Sequence, residues 1–143
     1  MIIYIDASAL VKRYIAEAGS EEVKDLIAQA EVVGTGIISR AEVPAAISRA
    51  VRSNIITVTT GTSAIRSFEY DWENLVRLQI DNNIAAKAGA IAWKLGLRGY
   101  DAVHLASALF WGDMLGEQIT LATFDKELWA SAQKSELVPW PNL

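Results

Sequence analysis

The sequence predicts an α/β domain of three layers, α/β/α, around a central and mostly parallel sheet. Three observations lead there. The chain opens on an apolar run, Ile2-Ile3-Tyr4-Ile5, that stops on the carboxylate of Asp6. Short apolar runs then alternate with segments of helical period, the pattern of strand–helix–strand units. Finally, acids recur where a strand ends or a helix begins.

The opening run is β-prone without polar alternation, as in a strand buried on both faces. A helix-like stretch, Ser8 to Tyr14, follows it. Gly19-Ser20 breaks the pattern, with Ser20 read as an N-cap and Glu21 and Glu22 in the first turn, where negative charge suits the helix dipole. Val23, Leu26, Ile27 and Ala30 mark that helix's apolar face. Val32 to Ile38 reads as a second strand, and Ser39 opens a helix with a stripe of Val43, Ala46, Ile47, Ala50 and Val51 that stops near Asn54. Ile55 to Thr60 is ambiguous before a break at Gly61-Thr62-Ser63. From Ser63 a helix carries Ile65, Phe68, Trp72, Leu75 and Val76. Asn82-Asn83 caps another, with Ile84, Ala88, Ile91, Ala92 and Leu95. These two form a helical pair near 63–95 inserted into the sheet. After Gly96 and Gly99, a helix from Tyr100 to Trp111 turns Val103, Ala106, Leu109 and Phe110 inward. Ile119 to Ala122 is a strand, Asp125 to Lys134 a helix, and Leu137-Val138 a short closing strand. Trp72, Trp93, Trp111 and Trp129 fall on helices as core or subunit-interface residues, and Trp140 falls in an irregular tail.

Residues 1–143 read as one domain, long enough to bury a core without staples. A hydrophobic content of 52% with 21% charged residues describes a globular chain, not a disordered one. No run approaches the ~18 apolar residues of a membrane span. No basic stretch precedes the first apolar run, which argues against a signal peptide and for the cytosol. The absence of cysteine excludes disulfides, thiolate metal sites and cysteine nucleophiles, and the single histidine, His104, excludes a multi-histidine metal site. A net charge of −4 argues against a surface coated with positive charge for nucleic acid, though not against a local basic patch.

Four acids stand out: Asp6, Glu42, Asp101 and Asp125. Each has a structural explanation of its own. Asp6 and Asp125 sit where an N-cap would. Ser39-Arg40-Ala41-Glu42 is a capping box, S-x-x-E. Asp101 lies in the first turn of a helix, where the dipole favours it. Their joint placement changes the weighing, because in a parallel sheet helices begin at the edge where strands end. The four acids therefore converge on one rim. Two carboxylates ~4 Å apart repel by about 4 kcal/mol at an effective dielectric near 20. A magnesium or manganese ion, which prefers oxygen ligands, accounts for such a cluster.

At this point the sequence resembles a PIN domain, and within that group the VapC-type toxin ribonucleases. The matching segments are Ile5-Asp6-Ala7-Ser8-Ala9-Leu10-Val11-Lys12, Ser39-Arg40-Ala41-Glu42, Leu97 to Ala106 (LRGYDAVHLA) and Ala122-Thr123-Phe124-Asp125. The resemblance extends over essentially the whole chain. Two departures stand away from the acids: Ser135-Glu136 replaces a glycine that often precedes the last strand, and Pro44 comes early in its helix.

The resemblance implies a metal-dependent endoribonuclease, the toxin of a type II toxin–antitoxin pair. Asp6, Asp101, Asp125 and Glu42 would form its catalytic and metal site for Mg²⁺ or Mn²⁺. Ser8 and Thr123 would support that site by hydrogen bonding. A VapB-type antitoxin would fill the groove, above a homodimer. Lys12, Arg13, Arg40, Arg98 and Lys126 each lie close to an acid segment and are candidates for RNA phosphate contacts. His104, three residues after Asp101, reads as a polar packing residue. Two other readings compete. A phosphatase of the haloacid-dehalogenase type wants a second acid two residues after the first, and position 8 is serine. A catalytically inactive PIN-like module binding RNA or protein would keep the fold without the chemistry.

Overall fold

The computed structural model describes residues 1–142. Five strands form one all-parallel sheet: β1 (Ile2–Ile5), β2 (Val32–Gly36), β3 (Val76–Leu78), β4 (Ile119–Ala122) and β5 (Val138–Trp140). Their order is β3-β2-β1-β4-β5, so β1 is central. Seven α-helices connect or flank them: α1 (Ala7–Leu10, continued by a 3-10 turn Val11–Arg13), α2 (Ser20–Gln29), α3 (Ser39–Arg52), α4 (Val58–Trp72), α5 (Asn82–Leu95), α6 (Gly99–Leu115) and α7 (Lys126–Gln133).

Period-two alternation in β1 feeds two cores. Ile3 and Ile5 join Leu10, Val23, Val43, Ile47 and Phe68 on the face covered by α1 to α4. Tyr4 points the other way, with Ile119 and Leu121, against Leu105, Trp111 and Leu128 of α6 and α7. Ile3, Tyr4 and Ile5 are all 0% exposed. Burying each such side chain stabilises the fold by about 1.5–3 kcal/mol.

Several expectations need correction. Leu75 and Val76 do not extend the fourth helix. That helix ends at Trp72, and Val76–Leu78 is an edge strand paired with Gly34–Gly36. Two adjacent apolar residues suit a helix stripe or a strand equally, and only the pairing with β2 decides. The same helix starts earlier than its glycine suggests. Thr57 caps α4 by accepting from the Thr60 amide, and the helix runs straight through Gly61-Thr62-Ser63. Gly61 is a contact residue there, since a Cβ would stand 2.7 Å from Val51 Cγ2 on α3.

The expected helical pair near 63–95 is therefore split. Its first helix packs on α3 and its second on α6, on opposite sides of the sheet, with β3 between them in sequence. Phe68 and Trp72 are 1% and 2% exposed, so they build core and offer nothing to a partner.

Caps differ too. Gly19, not Ser20, holds the N-cap of α2, while Ser20 Oγ donates to the Ile15 carbonyl and accepts from the Glu17 amide. Asp81, not Asn82, caps α5. Asn54 does end α3, at φ 58°. On α6 the buried hydrophobic positions are Ala102, Leu105, Ala106, Ala108 and Trp111; Val103 and Leu109 are half-buried, and Phe110 is exposed. Trp140 lies in β5 rather than an irregular tail, and Trp93 is 93% exposed, so it is not core. Among the described residues no helix is long and apolar enough to cross a membrane.

Candidate active site

The register of β1 on β4 pairs Ile5 with Ala122, so the next residues, Asp6 and Thr123, leave the sheet side by side. The Asp6 amide donates to the Ala122 carbonyl at 3.1 Å, extending the ladder to the last possible position. Asp6 is then the N-cap of α1. Its Oδ1 accepts from the Ala9 amide at 3.0 Å and from Ser8 Oγ at 2.7 Å. Its Oδ2 accepts from Thr123 Oγ1 at 2.6 Å. Ser8 Oγ also accepts from the Phe124 amide, and Thr123 Oγ1 from the Asp125 amide. The two hydroxyls thus tie the ends of β1 and β4 together around one carboxylate.

Asp125 caps α7 in the same manner, with Oδ1 accepting from the Leu128 amide at 2.9 Å. Its Oδ2 faces Arg98, whose Nη2 lies 2.7 Å away. Arg98 Nε donates to Asp101 Oδ2 at 3.0 Å. One guanidinium therefore bridges two acids from different helices.

Glu42 departs from its structural explanation. No side chain caps α3, and Ser39 Oγ instead pairs with Thr35 Oγ1 at 2.7 Å. With the capping box unformed, Glu42 extends across to α6, where its Oε1 meets His104 Nε2 at 2.7 Å. His104 Nδ1 is 2.8 Å from the Tyr4 hydroxyl. The one histidine of the chain is thus a buried polar residue that links the core to an acid.

All four acids line a single groove of about 930 Å³, together with Ser8, Arg98, Tyr100 and His104. The electrostatics are those of crowded negative charge. Burial pushes the Asp6 carboxyl up against the opposing pull of His104 and the two hydroxyls. Burial and the neighbouring Asp125 push Asp101 up, although Arg98 counteracts them. Burial works against a charged His104, yet the bond to Glu42 and the charges of Asp6, Glu42 and Asp101 outweigh it, and its pKa is raised.

The donors are hard oxygen atoms, which suit magnesium or manganese more than zinc. Asp6 is the best-prepared of them, buried and bonded only to hydroxyls and an amide. Yet among the described residues no three acids or histidines stand close enough to enclose a cation as they are. The space between Asp101 and Asp125 belongs to Arg98, and one oxygen of Glu42 belongs to His104.

The basic residues fare unequally. Lys12 is committed to Glu17 and the Ala18 carbonyl, and Arg13 to Asp71. Arg40 lies over the Trp72 ring and does not line the groove; Lys126 is exposed outside it. Of the five, Arg98 alone is among the lining residues. A further basic residue, Arg49, which lies outside the acid segments, also lines the groove. It lies two helical turns after Glu42 on α3, a spacing that returns to the same face and could have found it. Tyr4 carries no such signal.

The PIN domain family matches residues 3–134 of this chain. A ribonuclease of Mycobacterium tuberculosis named VapC45 is 33% identical over 131 residues, which is 92% of this chain and 89% of that protein. Among solved structures, VapC20 of Mycobacterium tuberculosis, described as a Sarcin-Ricin loop cleaving toxin, superposes with a TM-score of 0.65 at 16% identity, over 92% of this chain and 95% of that one. VapBC-5 from the same organism, described as a member of a family of toxin-antitoxin systems, gives 0.63 at 16% identity, over 96% of each chain. At those identities the two structures speak for the fold.

Proposed function

Since this chain belongs to the PIN-domain family, we propose that it is a metal-dependent endoribonuclease, the toxin of a type II toxin–antitoxin pair. The observation that carries this reading is the arrival of Asp6, Glu42, Asp101 and Asp125, from four separate segments, in one groove. The ribonuclease naming of the relative at 33% identity supports the substrate class.

Asp6, Asp101 and Asp125 would hold a Mg²⁺ or Mn²⁺ ion, with the exposed Arg98 side chain yielding its place between the last two. When bound, such an ion supplies Lewis acidity, stabilising charge on the phosphate and easing the loss of a proton from water. The chain's own residues do the rest. Ser8 and Thr123 fix the Asp6 carboxylate from both sides. Glu42 has one oxygen on His104 and the other available to accept a proton from attacking water. Arg98, 71% exposed at the groove, is placed to meet a backbone phosphate. We further infer a VapB-type antitoxin as the partner covering the groove, a homodimer, and action in the cytosol.

A second reading, a PIN-like module that binds RNA or protein without cutting, draws on Arg98 neutralising Asp101 and Asp125. A cleavage assay on RNA with Mg²⁺ or Mn²⁺, with and without EDTA, separates the two. Cleavage that needs the metal and is lost in Asp6→Asn is the expected result. No cleavage with either metal favours the binding module, and undiminished cleavage by Asp6→Asn overturns the site assignment.

A further inference from the structure

Behind Glu42 lies a buried chain of polar contacts that the proposed chemistry leaves unused. Tyr4, in the middle of β1, is fully buried, and its hydroxyl meets His104 Nδ1 at 2.8 Å. The two rings pack edge to face, with centroids 5.8 Å apart at 71°. His104 is 2% exposed and turns Nε2 to Glu42 Oε1 at 2.7 Å. The backbone makes room for this arrangement at Gly36 of β2, where a Cβ would stand 2.7 Å from the Tyr4 hydroxyl and 3.6 Å from His104 Nδ1. A valine or alanine in that strand would push the hydroxyl out of line.

We propose that Tyr4 and His104 are positioning residues that hold Glu42 by Oε1, leaving Oε2 directed to the groove opposite Asp6. The proposal rests on the reading that Glu42 acts at that site. A free glutamate side chain on a helix surface samples many rotamers, and fixing one of them costs side-chain entropy. The imidazole meets that cost in advance, because its own position is set by packing on both sides. The hold does not depend on the protonation of Nδ1. A neutral ring accepts the Tyr4 proton at Nδ1, and a charged ring donates to the Tyr4 oxygen. Nε2–H points to Glu42 in both cases.

The test has two arms. The chain has a single histidine, so ¹⁵N spectra of untagged protein report on His104 alone. The expected spectrum has Nε2 protonated and hydrogen-bonded, with both ring nitrogens shifting in Glu42→Gln and Nδ1 shifting in Tyr4→Phe. Ring signals unmoved by Glu42→Gln overturn the proposal, whether or not the protein cleaves RNA. The kinetic arm compares His104→Ala, His104→Gln and Tyr4→Phe. Loss of an outer partner of this kind costs about 10–100-fold, expected here in kcat with KM for RNA unchanged. His104→Gln, which keeps a donor, restores part of the loss, and Tyr4→Phe, which keeps the core's shape, gives a smaller one. A Tyr4→Phe enzyme with wild-type kcat, or a His104→Ala effect confined to KM, overturns the proposal. A wild-type protein without nuclease activity refutes the function proposed above and leaves the spectral arm to decide the hold on Glu42.

Discussion

Among the described residues three helices begin on an aspartate, and two of those aspartates belong to the groove while one does not. In α1, α7 and α5 the capping oxygen does the same work, accepting from Ala9, Leu128 and Ile84 amides at 3.0, 2.9 and 2.9 Å. The difference lies in the second oxygen and in the sheet. Asp6 and Asp125 follow β1 and β4, neighbours between which the chain's progress across the sheet reverses direction. Such reversals open a crevice at the carboxyl ends of the strands. Asp81 follows β3 on the same rim, but two strands from β1, or about 10 Å away at normal strand spacing. Capping a helix and lining the groove are therefore compatible places for one carboxylate, and strand order decides which aspartates hold both.

Exchanging each aspartate for its amide is the sharpest challenge to that contrast. Asp6→Asn and Asp125→Asn are expected to lower the initial rate on labelled RNA by about 100-fold or more, with circular dichroism unchanged. Asp81→Asn should leave the rate alone. Equal losses at all three positions would mean that helix integrity, not site chemistry, is being measured.

A smaller effect is expected from Arg98→Met, read as Mg²⁺ affinity by calorimetry. Exposed ion pairs are weak in water, so freeing Asp101 and Asp125 should tighten binding by only a few-fold. Unchanged affinity would show that the guanidinium does not compete for those oxygens.

The buried cap should also carry a pH dependence of its own. Because burial raises the Asp6 carboxyl above its ordinary value, the folded protein binds that proton more tightly than the unfolded chain does. The resulting stability is complete below the unfolded pKa of about 3.9 and is lost as pH rises through the folded value. In EDTA, Asp6→Asn should therefore melt with the wild type at low pH and above it at neutral pH, by about 2–4 °C for each kcal/mol relieved. The smallest change is the plain cap. Asp81→Ala should cost about 1 kcal/mol, with no dependence on metal.

How much of this was legible in the sequence depends on the range of the interaction. β1 was readable because its residues are apolar without interruption, β4 because only Thr120 breaks its run, and α3 because its stripe keeps helical period. β3 was not, being three residues long with Val76 and Arg77 exposed. The four acids were visible as residue types at strand and helix ends. Their partners were only partly so, since Ser8 and Thr123 came with the family resemblance, whereas Tyr4 and His104 meet on one face of the sheet from distant positions in the chain. The capping box at Ser39 misled for a related reason. Its serine found a stronger local partner in Thr35, and its glutamate a distant one. Lys12 and Arg13 looked available because sequence does not reveal that Glu17 and Asp71 occupy them.

That Asp6 and Asp125 both cap a helix and line the groove bears on how such a chain would age. Were a lineage to stop cutting RNA, selection for folding would still retain an aspartate or asparagine at the heads of α1 and α7. Asp101 and Glu42 cap nothing, and drift would reach them first. A descendant that had kept the first two carboxylates and shed the other two would be recognisable as a retired enzyme.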